Sequence, residues 1–378
     1  MTEQANVPAR EAERPAPWAR VLSRRRPLMR PGLQTATVVY RWDLDKTYLK
    51  SDFESLRKMV RMTFERAADK VNEPGVVALI RALKQSARQE GRTALVYFIS
   101  ASPPQIGRAI REKLALDGVE ADGIVFKDQL QHLMRGRFRY LREQVGFKLA
   151  ELLKARLTAP EGAIEFLFGD DWESDPLIYS LYADVVAGRL DPQALREILV
   201  RLRIDPARLA EIDAHSHRLS AANAVCRIFI NLERRTPPAR FRSFGTRLVP
   251  TFNYFQTALV LHQESAIPVR AVVDVGRSLL ERSEYTPYQL RNSLDDLERR
   301  GHLMPAAATA LRGDLERATI LPPSGRFVRW PPRLWQRLCG RRRPSGAASR
   351  PPVAGPADYA RLIDGWLASR ARSAGEEP

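Results

Sequence analysis

Short apolar runs of strand length alternate with amphipathic stretches of helix length between residues 34 and 190, and this alternation constrains the fold most. Thr35–Trp42 is apolar and β-branched. Thr93–Ile99 (TALVYFI), Gly123–Phe126 (GIVF) and Ile164–Phe168 (IEFLF) repeat the pattern, with Asp184–Ala187 as a weaker fifth strand. Gly75–Gln89 and Pro104–Leu116 read as helices between them. Parallel strands need a crossover long enough to hold a helix, so this order predicts an α/β fold with a doubly wound, Rossmann-like parallel sheet.

From residue 191 the pattern turns helical. Asp191-Pro192, Asp205-Pro206 and Thr286-Pro287 each place a capping side chain before a proline at the first helical position. The last of these opens a helix that should stop at Gly301. A second, α-helical C-terminal domain is therefore expected over 191–318. Residues 1–33, with Arg24-Arg25-Arg26, read as a disordered basic arm. Residues 319–378 read as an Arg/Pro-rich basic tail, with a short helix over 358–371. Residues 317–357 carry nine arginines and no acid, along with Phe327, Trp330 and Trp335. Such a stretch suits an anionic membrane surface, nucleic acid, or a solvated linker.

The formal charge is +17 and the pI about 10.3. Both favour phosphate-bearing partners, with arginine-rich composition alone as the plain alternative. Two cysteines, Cys226 and Cys339, cannot build a disulfide framework, which points to the cytoplasm. The N-terminus has no apolar signal segment, and no apolar run approaches a membrane span. The expected location is cytoplasmic, with peripheral membrane contact.

Four elements line up at strand ends or helix starts. They are Asp43-Leu44-Asp45-Lys46-Thr47, Ser100, Lys148, and Gly169-Asp170-Asp171-Trp172-Glu173-Ser174-Asp175. Their chemistry fits together around a phosphate ester. A carboxylate nucleophile and a phosphate repel, and Mg²⁺, with its preference for hard oxygen ligands, relieves that repulsion. Asp43 would supply the attacking oxygen and one ligand. The Asp45 carbonyl and Asp170 would supply others, and Asp171 or Asp175 would complete the metal shell. Ser100 would donate to a phosphoryl oxygen, and Lys148 would neutralise remaining charge. Asp45 would act as general acid and then base. The pair His215-x-His217 sits in a helix, where side chains two apart diverge, so no metal site is expected there.

The ordered set resembles the haloacid dehalogenase (HAD) superfamily over roughly residues 35–190. The resemblance implies a HAD-like doubly wound sheet and a HAD-type phosphatase. It makes Asp43 the nucleophile and Asp45 the acid/base. Thr47, Ser100 and Lys148 become phosphate ligands, with Asp170 and Asp171 or Asp175 at Mg²⁺. A narrower resemblance, to the App1-like phosphatidate phosphatase catalytic domain, rests on Phe98-Ile99-Ser100-Ala101-Ser102-Pro103. It rests also on Gly169-Asp170 followed by Asp175-Pro176-Leu177-Ile178-Tyr179. The chain departs from that pattern at Lys46, Pro104, Phe147 and Asp171-Trp172-Glu173.

The expected function is a Mg²⁺-dependent phosphomonoesterase acting through an aspartyl-phosphate, with phosphatidate or a related lipid phosphate as substrate. The alternatives are a soluble or nucleic-acid-end phosphate, or a non-catalytic basic adaptor for membrane or nucleic acid. Residues 48–92 and 104–147 are short for a large cap, so the site should be open. Lys50, Lys127, Arg135, Arg137 and Arg139 would then be placed to guide an anionic surface.

Overall fold

The computed structural model describes residues 37–49, 71–100, 104–127, 137–172, 174–282, 285–323 and 358–364. Side chains of 137–141 are not included. The expected basic arm and nearly all of the basic tail lie outside these residues, as do Lys50, Glu173 and Arg135.

In chain order the elements begin with β1 (Val38–Asp43), α1 (Val76–Gln89), β2 (Ala94–Ser100), α2 (Gly107–Leu116) and β3 (Gly123–Phe126). Next come α3 (Arg137–Leu157), β4 (Ile164–Asp170), α4 (Asp175–Val186), α5 (Pro192–Arg201) and α6 (Pro206–Ser216). The last are β5 (Val225–Asn231), β6 (Leu248–Thr251), α7 (Tyr254–Gln263), α8 (Val269–Glu281), α9 (Pro287–Arg299) and α10 (Pro305–Arg317). The strands form one six-stranded sheet in the order β3-β2-β1-β4-β5-β6, with every neighbouring pair parallel. The α/β class and the parallel sheet are as the sequence predicts.

Alternation along the central strands builds two cores. Val38, Tyr40, Trp42, Phe166, Phe168 and Phe229 face one layer, whereas Leu167, Ile228 and Ile230 face the other. The first face is tied by rings stacked across three strands. Trp42 and Phe168 lie 3.8 Å apart at an interplanar angle of 1°, and Phe168 and Phe229 lie 5.2 Å apart. On the second face, Arg41 donates to Glu165 at 2.9 Å, with Arg156 and Tyr182 on the same carboxylate. Burial alone would raise the Glu165 carboxyl, but these cations and hydrogen bonds outweigh it and hold it low.

Two expectations need correction. Residues 191–318 are not wholly helical, because β5 and β6 extend the same sheet. Leu290, Leu294 and Leu297 of α9 and Leu311 and Leu315 of α10 share one apolar cluster with Tyr40 and Trp42. The expected strand Asp184–Ala187 falls within the end of α4. All residues of α4 are buried, so it lacks the polar face by which a helix shows its period. The expected caps do form. Asp191 and Asp205 accept from the first-turn amides of α5 and α6, Thr286 and Gln289 make a capping box, and Gly301 takes φ 77° just past α9. Among the described residues, no helix is long and apolar enough to cross a membrane.

Candidate active site

In an open parallel sheet, ligands bind outside the carboxyl ends of the strands where the order reverses. Here that point lies between β1 and β4, with β2 on the outer side of β1. Asp43 ends β1, Asp170 ends β4 and Ser100 ends β2. The sheet itself therefore brings three of the sequence candidates to one edge.

Two helices complete the arrangement. Asp175 opens α4, five residues beyond Asp170, and its carboxylate accepts from the Asp170 backbone N–H at 3.3 Å. Carboxylate oxygens of Asp43, Asp170 and Asp175 all lie within 4.8 Å of one another. Lys148 of α3 is fully buried, and its Nζ sits 2.7 Å from both Asp43 Oδ1 and Asp175 Oδ1. Three buried carboxylates gathered beside the Lys148 ammonium make an oxygen-only donor set. That set fits a hard divalent cation such as Mg²⁺, though its donor chemistry does not single out that ion.

After Asp43 the chain turns tightly. Tyr48 N and Leu49 N both donate to the Leu44 carbonyl, and Lys46 takes a left-handed φ of 58°. This turn carries Asp45 to Ser100, whose Oγ donates to Asp45 Oδ2 at 3.1 Å. Thr47 is fully buried; its carbonyl accepts from the Tyr254 hydroxyl, and its own Oγ1 has no partner among the described residues. Lys46 places its Nζ 3.5 Å from the centre of the Trp172 ring, and Arg234 lies 4.7 Å from the same ring. Two residues at which the chain departs from the App1-like pattern therefore touch each other at the rim.

The structure separates Asp171 from the cluster. Its N–H donates to the Asn231 carbonyl, and its carboxylate accepts from Arg234 N at 2.8 Å and Thr236 N at 3.1 Å. Asp171 thus pins the loop after β5, whereas Asp175 joins Asp43 and Asp170. Lys127 pairs with Glu143 at 3.1 Å.

Three residues near the site escaped sequence reading. Gln144 lies one turn before Lys148 on α3, is fully buried, and has no partner among the described residues at either polar atom of its carboxamide. Its spacing from Lys148 was the available signal. Tyr254 and Asn231 come from the segment expected to form a separate domain. The Tyr254 hydroxyl is pushed well above its usual pKa, first by burial and then by the charges of Glu73, Asp170 and Asp43. Tyr179 behaves alike, through burial and then Asp175. Both rings feel the negative charge of the cluster.

A cavity of about 650 Å³ opens at the tips of β5 and β6. A second, of about 770 Å³, lies along α3 and α6 and is lined by Arg142, Arg203 and Arg208 among others. No protein-family model matches this chain, and no curated protein matches it either.

Proposed function

We propose that this chain is a Mg²⁺-dependent phosphomonoesterase of the HAD type, working through an aspartyl-phosphate on Asp43. The observation that carries the proposal is the meeting of Asp43, Asp170 and Asp175 with buried Lys148 at the switch point of a parallel sheet. A structural ion pair has no need of two further buried carboxylates. A surface acid cluster has no need of a buried ammonium. Among the sequence readings, a non-catalytic adaptor accounts least well for this grouping.

Asp43, Asp170, Asp175 and the Asp45 carbonyl would hold Mg²⁺, which supplies charge neutralisation at the phosphoryl oxygens. The Asp43 carboxylate attacks phosphorus, and the ester P–O bond breaks. Asp45, oriented by Ser100, gives its proton to the leaving oxygen. A water then gives a proton to Asp45 and attacks the same phosphorus. The Asp43–phosphorus bond breaks, and inorganic phosphate leaves with the Asp43 carboxylate restored. Lys148 holds Asp43 in place through both steps, and the Thr47 hydroxyl is a donor for a phosphoryl oxygen; the single Ser100 proton, given to Asp45 in this structure, would turn to the phosphoryl group when it binds.

The family resemblance points to phosphatidate or a related lipid phosphate at an anionic surface. A soluble phosphate is the second reading, favoured by the polar lining of the cavity beside the site. A phosphorylated nucleic-acid end is the third. Phosphate release would be measured from p-nitrophenyl phosphate, hexose phosphates, a 5′-phosphorylated oligonucleotide and phosphatidate vesicles. Wild type and Asp43→Asn would each be assayed with Mg²⁺ and with EDTA. The expected result is metal-dependent release that Asp43→Asn abolishes. Release that survives Asp43→Asn, or no release from any of the four by folded protein, refutes the proposal.

A further inference from the structure

The carboxyl edge of the sheet does not end at the acid cluster. β5 and β6 continue it in register, with Asn231 beside Asp170 and Thr251 beside Asn231. Beyond these tips lies the cavity of about 650 Å³, walled by Asn253 and Tyr254 at the start of α7, by α9, and by Glu73. Small-molecule sites commonly run from about 300 to 1,000 Å³.

Two links tie this cavity to the cluster. Tyr254 lines it and donates its hydroxyl to the carbonyl of Thr47, two residues beyond Asp45. Asn231 also lines it, is the register neighbour of Asp170, and accepts from the Asp171 N–H. A phosphoryl group at Asp43 therefore has this cavity beside it, on the β5 side of the switch point.

The lining decides what fits. Asn231 and Asn292 offer amides, Glu73 and Glu233 offer carboxylates, and the Ser293 hydroxyl, whose proton goes to the Gln289 carbonyl, can only accept. The two arginines, Arg235 and Arg299, face three acids, and Arg299 is paired with one of them, Asp296. A second anionic group would meet as much repulsion as attraction. Phe252 is 41% exposed at the wall, but most lining residues are polar or charged, which suits acyl chains poorly. Hydroxyl groups suit this mixture, since each donates to a carboxylate and accepts from an amide. An aromatic ring among such groups suits the C–H face of a sugar ring.

We infer that this cavity is the leaving-group subsite and takes a neutral, polyhydroxylated, sugar-like alcohol. Its role as a leaving-group site rests on the phosphatase reading above; its ligand chemistry rests on its own residues. It also gives residues 225–299 a task in substrate choice.

Two measurements test it. Turnover would be compared for a hexose 6-phosphate, p-nitrophenyl phosphate and phosphatidate vesicles, using wild type, Asn231→Leu and Asn292→Leu. Asn292 is exposed on α9, so its variant is expected to fold even if the buried Asn231→Leu does not. Each substitution should lower kcat/KM for the hexose phosphate by about tenfold, the worth of one hydrogen bond, and leave p-nitrophenyl phosphate within about twofold. Equal losses on all substrates, or a preference for phosphatidate, overturns the inference. Binding of the hexose 6-phosphate by calorimetry, without turnover, separates the two claims. If wild type hydrolyses nothing yet binds this probe, and Asn292→Leu weakens binding by about tenfold, the subsite stands and the phosphatase reading fails. If wild type releases phosphate from p-nitrophenyl phosphate but does not bind the hexose phosphate, the subsite fails alone.

Discussion

Replacing Lys148 with Met isolates what the buried ammonium does. Met keeps most of the length and apolar stem but removes the charge. Lys148 Nζ lies 2.7 Å from Asp43 and from Asp175, and all three side chains are essentially inaccessible to water. Without it, Asp43 and Asp175 lose the ammonium they share, while oxygens of Asp43, Asp170 and Asp175 still lie within 4.8 Å of one another. Removing one partner of a buried pair typically costs about 3–5 kcal/mol, because the other charge is left uncompensated. For a chain of this size, that is a fall in Tm of roughly 4–6 °C in EDTA. A divalent cation opposes the loss, since an ion at about one hundred times its Kd contributes about 2.7 kcal/mol. The Mg²⁺-induced rise in Tm should be larger in Lys148→Met than in wild type, where the ammonium already occupies part of the field. Adding Asp175→Asn to Lys148→Met removes one stranded charge and should recover stability, by a coupling of about 0.5–3 kcal/mol. Urea unfolding and thermal scans, each with Mg²⁺ and with EDTA, give these numbers. A loss below about 1 kcal/mol in EDTA would refute the reasoning, as would equal Mg²⁺ shifts in the two proteins.

Three other outcomes follow from single residues. Gly169→Ala would drive a methyl group into the Asp175 carboxylate; the expected result is a loss of about 1–3 kcal/mol and a smaller Mg²⁺-induced shift in Tm. Gln144→Leu removes a buried carboxamide that has no partner among the described residues, so the urea midpoint should rise by the equivalent of about 1–2 kcal/mol; a fall would mean that a group outside those residues, or a bound water or ion, satisfies it. His302 is held down to about 4 from 6.5, first by burial and then by Arg300 and Arg227. The unfolded chain then takes up the proton first as pH falls, so this contribution is present above pH 6.5 and is lost towards pH 4. It amounts to roughly 2–3 kcal/mol, and His302→Gln should lose less stability than wild type across that window.

The site was legible where chemistry sits at the end of a strong strand signal. Asp43, Ser100 and Asp170 each close an apolar run, and parallel pairing brings the ends of such runs together. Lys148 was legible by its place in the order, although spacing alone could not show that it is buried. The choice between Asp171 and Asp175 was not legible. It depends on Asp171 extending the ladder to Asn231, which turns its carboxylate towards the loop after β5. β5 was missed because Val225–Asn231 includes Cys226 and Arg227 and lies between well-capped helices. Arg227 is accommodated there by Glu264, 2.6 Å away and far along the chain, a partner that no local pattern announces. The polar wall of the β5–β6 cavity was invisible for the same reason, since its residues come from four separate stretches.

The net charge of +17 and the lining of the site argue for separate roles. Within the described fold, many arginines are already matched. Arg41 faces Glu165, Arg189 faces Asp184, Arg300 faces Asp296, and Arg312 faces Asp295 and Glu298. Such pairing cancels the field that would steer an anion. Along the sequence, residues 317–357 add nine arginines and no acid. A basic segment of this kind governs where a protein accumulates, with strong salt dependence. The groups around the scissile bond govern which ester it cleaves. Under this division, salt should weaken any attraction to anionic surfaces far more than it alters the ranking of small phosphate esters. A ranking that shifts with salt as strongly as surface binding does would mean that the basic segment itself takes part in choosing the substrate.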